Sequence, residues 1–187
     1  VAAALAEGEI RQKRHAGDVN ITREEYVNIV TRKTAMPISA GAQAGAILGG
    51  ARAEQIDVLG RYGLNLGIAF QIVDDILDVV GDGVVLGKQP GMDIKEGNVT
   101  LLSIHALNNG SAIDRSELIR IIRKQKKDWG EVQTAIRMIR EAGAVEKARE
   151  DALEYGEKAV AVLDHFPAAE PRRHLRDLVE FVLSRSA

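Results

Sequence analysis

The sequence predicts an all-α protein, and three observations lead to that fold class. Helix-favouring residues dominate a chain of 187 residues in which aromatic side chains make up only 4%, and such a composition favours helices over strands. Helix-capping patterns recur along the chain. No useful stretch alternates apolar and polar residues with the period of two that is typical of a strand. With 45% hydrophobic residues, the chain is long enough for one globular domain with a sizeable core.

The predicted helices follow one another along most of the chain. Thr22 and Glu25 form a capping-box pattern that predicts a helix to about Lys33, and Pro37 is expected to kink or interrupt its continuation. The next signals predict a small-residue helix to about Gly50 and one long helix or two over Ala53–Val80. A further capping box, Asp114 with Glu117, predicts a helix to about Lys127. The last predicted helices cover Glu131–Ala142, Val145–Phe166 and the segment from Pro171 onward. The segment Gly81–Val99 contains five glycines and Pro90, which predicts a long loop.

Composition and charge exclude several classes of function. The chain has no cysteine, which excludes disulfides, thiolate catalysis and cysteine zinc sites and indicates a reducing, cytoplasmic setting. The 25 basic and 27 acidic residues nearly balance, and the basic clusters lack interleaved aromatic residues, so no nucleic-acid partner is expected. None of the four histidines lies in an HxxxH or ExxH pair, which argues against a zinc or di-iron site.

One uncharged stretch of 18 residues, Thr34–Ala51, approaches the length of a membrane span. It contains Pro37, four glycines and mostly alanines among its apolar members, so its insertion into a bilayer would be weak. We therefore expect no transmembrane span here, but a helix in close contact with other helices. The chain begins at Val1 without a signal segment, and we expect it to be a fragment of a longer protein.

The most informative segment is GIAFQIVDDILDVV, residues Gly67–Val80. At about 100° per residue, its polar side chains share a sector of about 100°, and apolar side chains cover the rest of the helix. The polar residues are Gln71, Asp74, Asp75 and Asp78. A helix that is apolar over most of its circumference is buried, so this polar stripe is predicted to line a cavity or cleft.

The crowded aspartates predict a cationic partner. At a separation of about 6 Å and an effective dielectric near 20, each close pair of carboxylates repels by roughly 3 kcal/mol. A divalent metal, basic side chains or proton uptake would relieve that repulsion. Three aspartates offer only oxygen ligands, which suit Mg²⁺ or Mn²⁺, and Mg²⁺ commonly completes its shell with water and phosphate oxygens. The pattern therefore predicts a phosphorylated ligand, and lysines of the loop such as Lys88 or Lys95 are candidate contacts to its oxygens.

Four segments together resemble the trans-polyprenyl diphosphate synthases. FQIVDDILD followed by LGKQPGMDIKEGNVTLLSIHAL resembles the second aspartate-rich motif and the following loop of that family. The other matching segments are GEI at Gly8–Ile10, YVNIVTRKTA at Tyr26–Ala35 and FVLSR at Phe181–Arg185. The resemblance covers essentially the whole chain. It implies an isoprenoid synthase helical bundle around an apolar cavity, of which residues 1–187 form the C-terminal portion and the N-terminal helices are missing.

The resemblance also implies a set of site residues and a reaction. Asp74, Asp75 and Asp78 match the carboxylates that hold Mg²⁺ against the diphosphate of an allylic substrate. The positions that match diphosphate contacts are Lys33, Thr34, Gln71 and Lys88. In the family, the allylic diphosphate ionises, the double bond of isopentenyl diphosphate attacks the cation, and a proton is lost. Asp74, Lys33 and Lys88 are accordingly the expected catalytic residues.

The sequence departs from the family pattern in three places. The first aspartate-rich motif is absent, so we expect a homodimer or a heteromer with a chain or segment that supplies it. Asn98 stands where many members carry lysine, and Leu102 where proline is common at the start of a helix. Besides a synthase, two functions stay open: a noncatalytic or regulatory subunit of a heteromeric synthase, and a class I terpene cyclase, against which the GKQPGMDIKEG loop argues.

Overall fold

The structure is a computed structural model that describes residues 1–81 and 89–185, with the side chains of residues 112 and 113 outside the description. Its described part is built from helices, which confirms the predicted all-α fold class. In chain order the helices are α1 (Ala2–Arg14), α2 (Arg23–Val30), α3 (Met36–Leu48), α4 (Ala53–Val80), α5 (Met92–Glu96), α6 (Leu101–Asn109), α7 (Ala112–Arg123), α8 (Trp129–Glu141), α9 (Ala144–Val162) and α10 (Glu170–Ser184). A π-helical turn over Thr31–Ala35 and a 3₁₀ turn over Leu163–His165 complete the set.

The first helix, α1, is an element that the sequence signals did not predict. Its residues are good helix formers, but Val1 precedes it and has no side-chain oxygen to cap the free amides. The start of α2 is as predicted, because the Thr22 hydroxyl accepts a hydrogen bond from the Glu25 amide at 3.1 Å. The capping signal therefore predicted the start of α2 correctly, whereas no such signal predicted α1.

The sequence predicts that Pro37 kinks or interrupts the second helix, and the predicted interruption is wrong. The chain remains helical from Arg23 to Leu48, and the π turn over Thr31–Ala35 joins α2 to α3. The Met36 amide bonds to the Thr31 carbonyl, five residues back. Proline has no amide hydrogen, and its ring clashes with the carbonyl four residues earlier in a regular α-helix. The wider π turn accommodates that constraint without ending the helix.

The fold is organised around α4, which is one helix of 28 residues rather than two. Its most extensive contacts are with α9 and α3. Several of its apolar side chains, among them Ile72, Val73 and Ile76, have no exposed surface. The helix ends at Gly81, as predicted from the glycine that follows the apolar run. The prediction that Thr34–Ala51 packs closely against other helices is also confirmed, because α3 lies directly against α4.

Two helix boundaries in the C-terminal half differ from the predicted ones. The N-cap of α7 is Ser111 rather than Asp114: its hydroxyl accepts from the Asp114 amide at 3.2 Å and donates to the Asp114 carboxylate at 2.6 Å. The helix therefore starts three residues earlier, and it ends at Arg123 instead of near Lys127. There the buried Lys127 ammonium donates to the Lys124 carbonyl at 2.8 Å, which satisfies a carbonyl at the helix end.

The remaining elements follow the sequence signals with small shifts. The α8 helix begins after Asp128, which forms a capping box with Glu131, and Pro171 lies in the first turn of α10 as predicted. The predicted long loop contains the short helix α5, and residues 82–88 of that loop lie outside the described residues. Within the described ranges, none of the helices combines the length and the hydropathy that a bilayer span requires.

Candidate functional site

The four polar residues in the Gly67–Val80 segment of α4 lie on one side of the helix but in two different environments. Asp75 and Asp78 are only 4% and 2% exposed, whereas Gln71 and Asp74 are partly exposed. Burying a carboxylate is costly unless hydrogen bonds or a cation compensate. Within the described residues, both buried aspartates accept hydrogen bonds through their side chains.

Asp75 is the end of a hydrogen-bonded chain that crosses three elements. Tyr26 of α2 donates its hydroxyl to Oδ2 of Asp75 at 2.7 Å. Gln71 donates its side-chain amide to the other oxygen, Oδ1, at 2.9 Å. Thr34 of the π turn donates its hydroxyl to Oε1 of Gln71 at 2.8 Å. The structure thus brings together three of the predicted site residues, and it adds Tyr26, which the sequence analysis did not single out.

Asp78 differs from Asp75 because its side chain accepts hydrogen bonds from the backbone of the loop after α4. Its two carboxylate oxygens accept the backbone amides of Met92 and Asp93 at 3.2 and 3.0 Å. Its own carbonyl accepts the amide of Gly91 at 2.7 Å. Gly91 has φ of 89°, a left-handed conformation that glycine adopts without steric cost. These contacts fold the end of the loop back over the polar face of α4.

The folded loop delivers a further carboxylate, Asp93, which the sequence analysis did not assign to the site. Burial raises the pKa of Asp75 well above its ordinary range, and the negative charges of Asp93 and Asp74 raise it further against the hydrogen bonds from Tyr26 and Gln71. Asp93 is held by Asn98, whose side-chain amide donates to Oδ1 of Asp93 at 3.1 Å. Its proximity arises only when the loop folds back, a contact that no local sequence pattern encodes.

Lys33 lies on the π turn beside the same network. Its ammonium donates to Oε1 of Gln12 at 2.8 Å and pairs with Oε1 of Glu9 at 3.0 Å, both on α1. Lys33, Gln71 and Asp75 all line a small cavity of about 30 Å³ between α1, α2 and α4, which is room for about one water molecule. Lys88, the other predicted lysine, lies outside the described residues.

The donor atoms of this region are suited to a hard cation. Carboxylate oxygens from α4 and the loop accumulate negative charge around Asp75, and oxygen ligands of this kind are those that Mg²⁺ prefers. Within residues 1–81 and 89–185, no group of three or more His, Cys, Asp or Glu side chains is arranged to hold a metal ion by itself. Substrate oxygens or ligands from elsewhere would therefore have to complete the coordination shell of a bound metal.

Comparison with known proteins gives a consistent result. Residues 1–139 match the Polyprenyl synthetase family. The chain is 38% identical over 181 residues to a short chain isoprenyl diphosphate synthase from Methanothermobacter thermautotrophicus, covering 97% of this chain and 55% of that protein. It is 35% identical over 181 residues to an octaprenyl diphosphate synthase from Escherichia coli, covering 97% and 56% of the two chains.

Solved structures show the same relationship. A polyprenyl synthase from Caulobacter crescentus, complexed with calcium and isoprenyl diphosphate, superposes with a TM-score of 0.94 at 34% identity and covers 99% of this chain and 56% of its own. A decaprenyl diphosphate synthase from Rhodobacter capsulatus gives a TM-score of 0.89 at 34% identity, with coverage of 99% and 57%. The chain thus spans about half the length of the relatives that it matches.

Proposed function

Because the chain belongs to the Polyprenyl synthetase family, we propose that it contributes the diphosphate-binding side of a synthase that condenses an allylic diphosphate with isopentenyl diphosphate. The observation that carries this proposal is the hydrogen-bonded chain from Thr34 through Gln71 to Asp75, which ends at the cavity lined by Lys33. This network brings cationic, hydrogen-bond-donating and carboxylate groups together, which supports a site for an anion and a metal ion. A trans-polyprenyl diphosphate is the proposed product.

In this proposal, Asp74 and Asp75 hold Mg²⁺, which supplies positive charge against the diphosphate oxygens. Lys33 and Lys88 neutralise the charge that develops on the leaving diphosphate as the allylic carbon–oxygen bond breaks. Gln71 retains one amide hydrogen that is not committed to Asp75, and that hydrogen is available to a diphosphate oxygen. Asp78 supports the site from behind by holding the backbone of the loop.

The first aspartate-rich motif, which this sequence does not contain, is proposed to come from another segment or from a partner chain in a homodimer or a heteromer. The second carboxylate cluster and the ligands of isopentenyl diphosphate would then meet across the helical bundle. The cytoplasmic setting, which the absence of cysteine favours, stays a prediction.

Calorimetric titration of this chain with inorganic pyrophosphate, with and without MgCl₂, tests the proposal. We expect Mg²⁺ to tighten pyrophosphate binding by at least about tenfold, or about 1.4 kcal/mol. Lys33→Ala and Lys88→Ala should weaken binding by a similar factor. The thermal stability of both variants should be nearly unchanged; for Lys33, its pair with Glu9 is partly exposed and contributes at most about 1 kcal/mol.

Two results would argue against this function. An affinity for pyrophosphate that does not depend on Mg²⁺ would remove the metal from the proposal. A several-degree loss of thermal stability in Lys33→Ala, with binding per folded molecule intact, would show that the lysine serves the fold. As the positive counterpart, adding the segment or chain that carries the first aspartate-rich motif should produce Mg²⁺-dependent incorporation of labelled isopentenyl diphosphate into a longer prenyl product.

A further inference from the structure

The π turn that carries Lys33 and Thr34 is contacted by a glycine on each of two neighbouring helices. A β-carbon at Gly8 of α1 would lie 2.7 Å from the backbone nitrogen of Lys33 and 2.9 Å from its α-carbon. A β-carbon at Gly67 of α4 would lie 2.5 Å from the α-carbon of Ala35. Carbon atoms in favourable contact are about 3.5 to 4.0 Å apart, so neither position has room for a methyl group.

Each of these glycines lies close in sequence to site contacts on its own helix. On α1, Glu9 and Gln12 follow Gly8 by one and four residues, and both bond to the Lys33 ammonium. On α4, Gln71 and Asp75 follow Gly67 at intervals of four residues, which keeps all three on one face. A methyl group at either glycine would push its helix away from the π turn. The hydrogen bonds and the ion pair that the same helix makes with Lys33 or Thr34 would then lengthen.

We propose that Gly8 and Gly67 are positioning residues: they let α1 and α4 touch the backbone of the π turn and thereby fix where Lys33 and Thr34 point. Gly8 sets the Lys33 ammonium against α1. Gly67 sets the Thr34 hydroxyl against Gln71 and so keeps the chain to Asp75 connected. The consequence for diphosphate binding rests on the proposed function, whereas the consequence for the π turn does not.

A third glycine of α4 separates positioning from ordinary packing. A β-carbon at Gly63 would lie 2.7 Å from the α-carbon of Ser39 and 3.0 Å from the carbonyl oxygen of Ile38. This contact is as tight as those at Gly8 and Gly67, but it involves α3 one turn beyond the π turn. Gly45 provides the neutral case, because a β-carbon there would meet no atom within 4 Å.

The test compares Gly8→Ala, Gly67→Ala, Gly63→Ala and Gly45→Ala in this chain, at a temperature where each is fully folded. In the presence of MgCl₂, we expect Gly8→Ala and Gly67→Ala to raise the Kd for inorganic pyrophosphate by about tenfold. Gly63→Ala and Gly45→Ala should stay within about twofold of the unmodified chain. An equal loss in Gly63→Ala and Gly67→Ala would overturn the proposal, because any tight helix contact would then have the same effect.

Amide hydrogen exchange tests the geometry without any ligand. The probe is the Met36 amide, which closes the π turn on the Thr31 carbonyl, and its rate is divided by that of Ile139, a buried residue of α8, to remove global unfolding. Gly67→Ala should raise this ratio by about tenfold and Gly63→Ala should not. If the unmodified chain binds no pyrophosphate, the proposed function fails while this ratio still decides the role of Gly67. An unchanged ratio in Gly67→Ala rejects that role.

Discussion

The two halves of α4 use one face of the helix in opposite ways. In the first half, the stripe that faces α3 and the π turn consists of Gly60, Gly63 and Gly67, at intervals of three and four residues. In the second half, the same stripe continues as Gln71 and Asp75. Its neighbours there are Tyr26 and Thr34, which it reaches through side chains instead of direct backbone contact.

The difference shows how one continuous helix can both fix the position of a site and supply its polar side chains. Where side chains are absent, the neighbouring backbone approaches until no β-carbon fits, and that contact fixes the distance between the helices. Where side chains are polar, the fixed distance determines which hydrogen bonds can form. Burial of Asp75 costs stability, so the polar half depends on the packing of the glycine half. Substitutions in the polar half should therefore mainly change ligand binding, whereas substitutions at Gly60 and Gly63 should mainly change the free energy of unfolding.

The largest effect is expected at Asp74, the partly exposed aspartate of the polar half. Asp74→Ala should weaken Mg²⁺-dependent pyrophosphate binding by roughly 100-fold, with the free energy of unfolding changed by less than about 0.5 kcal/mol. Calorimetry and urea denaturation measure the two quantities. Asp78→Asn is the matched variant, because it disturbs acceptors of the Met92 and Asp93 amides and should cost about 1 to 3 kcal/mol of stability. Equal binding losses in the two variants would contradict the division between them.

A smaller effect is expected in the pH dependence of stability without metal. The pKa of Asp75 is raised in the folded protein, whereas its unfolded value is about 3.9. Above about pH 4, the folded state therefore retains a proton that the unfolded state has lost. The contribution of Asp75 to stability should be greatest below that pH and fall as the pH rises toward the folded pKa, by at most about 1.4 kcal/mol per pH unit.

Urea denaturation in EDTA at a series of pH values above 4 measures this slope. Asp75→Asn should flatten it, because asparagine does not ionise and every other ionisable side chain is kept in that variant. Addition of MgCl₂ to the unmodified chain should reduce the slope as well, because a cation stabilises the ionised carboxylate. Identical slopes for the unmodified chain and Asp75→Asn in EDTA would show that the titration of Asp75 does not control stability.

The polar half of α4 could be predicted from sequence, and the glycine half could not, for a physical reason. A stripe of Gln and Asp on an otherwise apolar helix is visible from helical periodicity alone. Glycine leaves no such signature, because its effect depends on which backbone approaches it. Asp93 could not be predicted for a similar reason. It lies near Asp75 because the loop folds back and its backbone bonds to the Asp78 carboxylate.

Local signals were equally informative where one candidate stood alone and ambiguous where two overlapped. Thr22 marked the start of α2 correctly. In the segment SAIDRSE, however, both Ser111 with Asp114 and Asp114 with Glu117 fit a capping pattern, and the hydroxyl of Ser111 takes the cap. Pro37 indicated a kink or an interruption because proline usually distorts or ends a helix, whereas here the chain continues through a π turn.

The smallest effect is expected at the beginning of the glycine stripe. A β-carbon at Gly60 would lie 2.6 Å from Nε2 of Gln43 and 3.0 Å from its Cδ, so it meets the end of a flexible side chain instead of backbone. Gln43 can move aside, and alanine gains about 0.5 to 1 kcal/mol over glycine inside a helix, so Gly60→Ala should change the free energy of unfolding by less than about 0.5 kcal/mol. Gly63→Ala, which meets the backbone of Ser39, should cost about 1 to 3 kcal/mol. Urea denaturation distinguishes them, and a Gly60→Ala loss as large as that of Gly63→Ala would show that contact with α3 is rigid along the whole stripe.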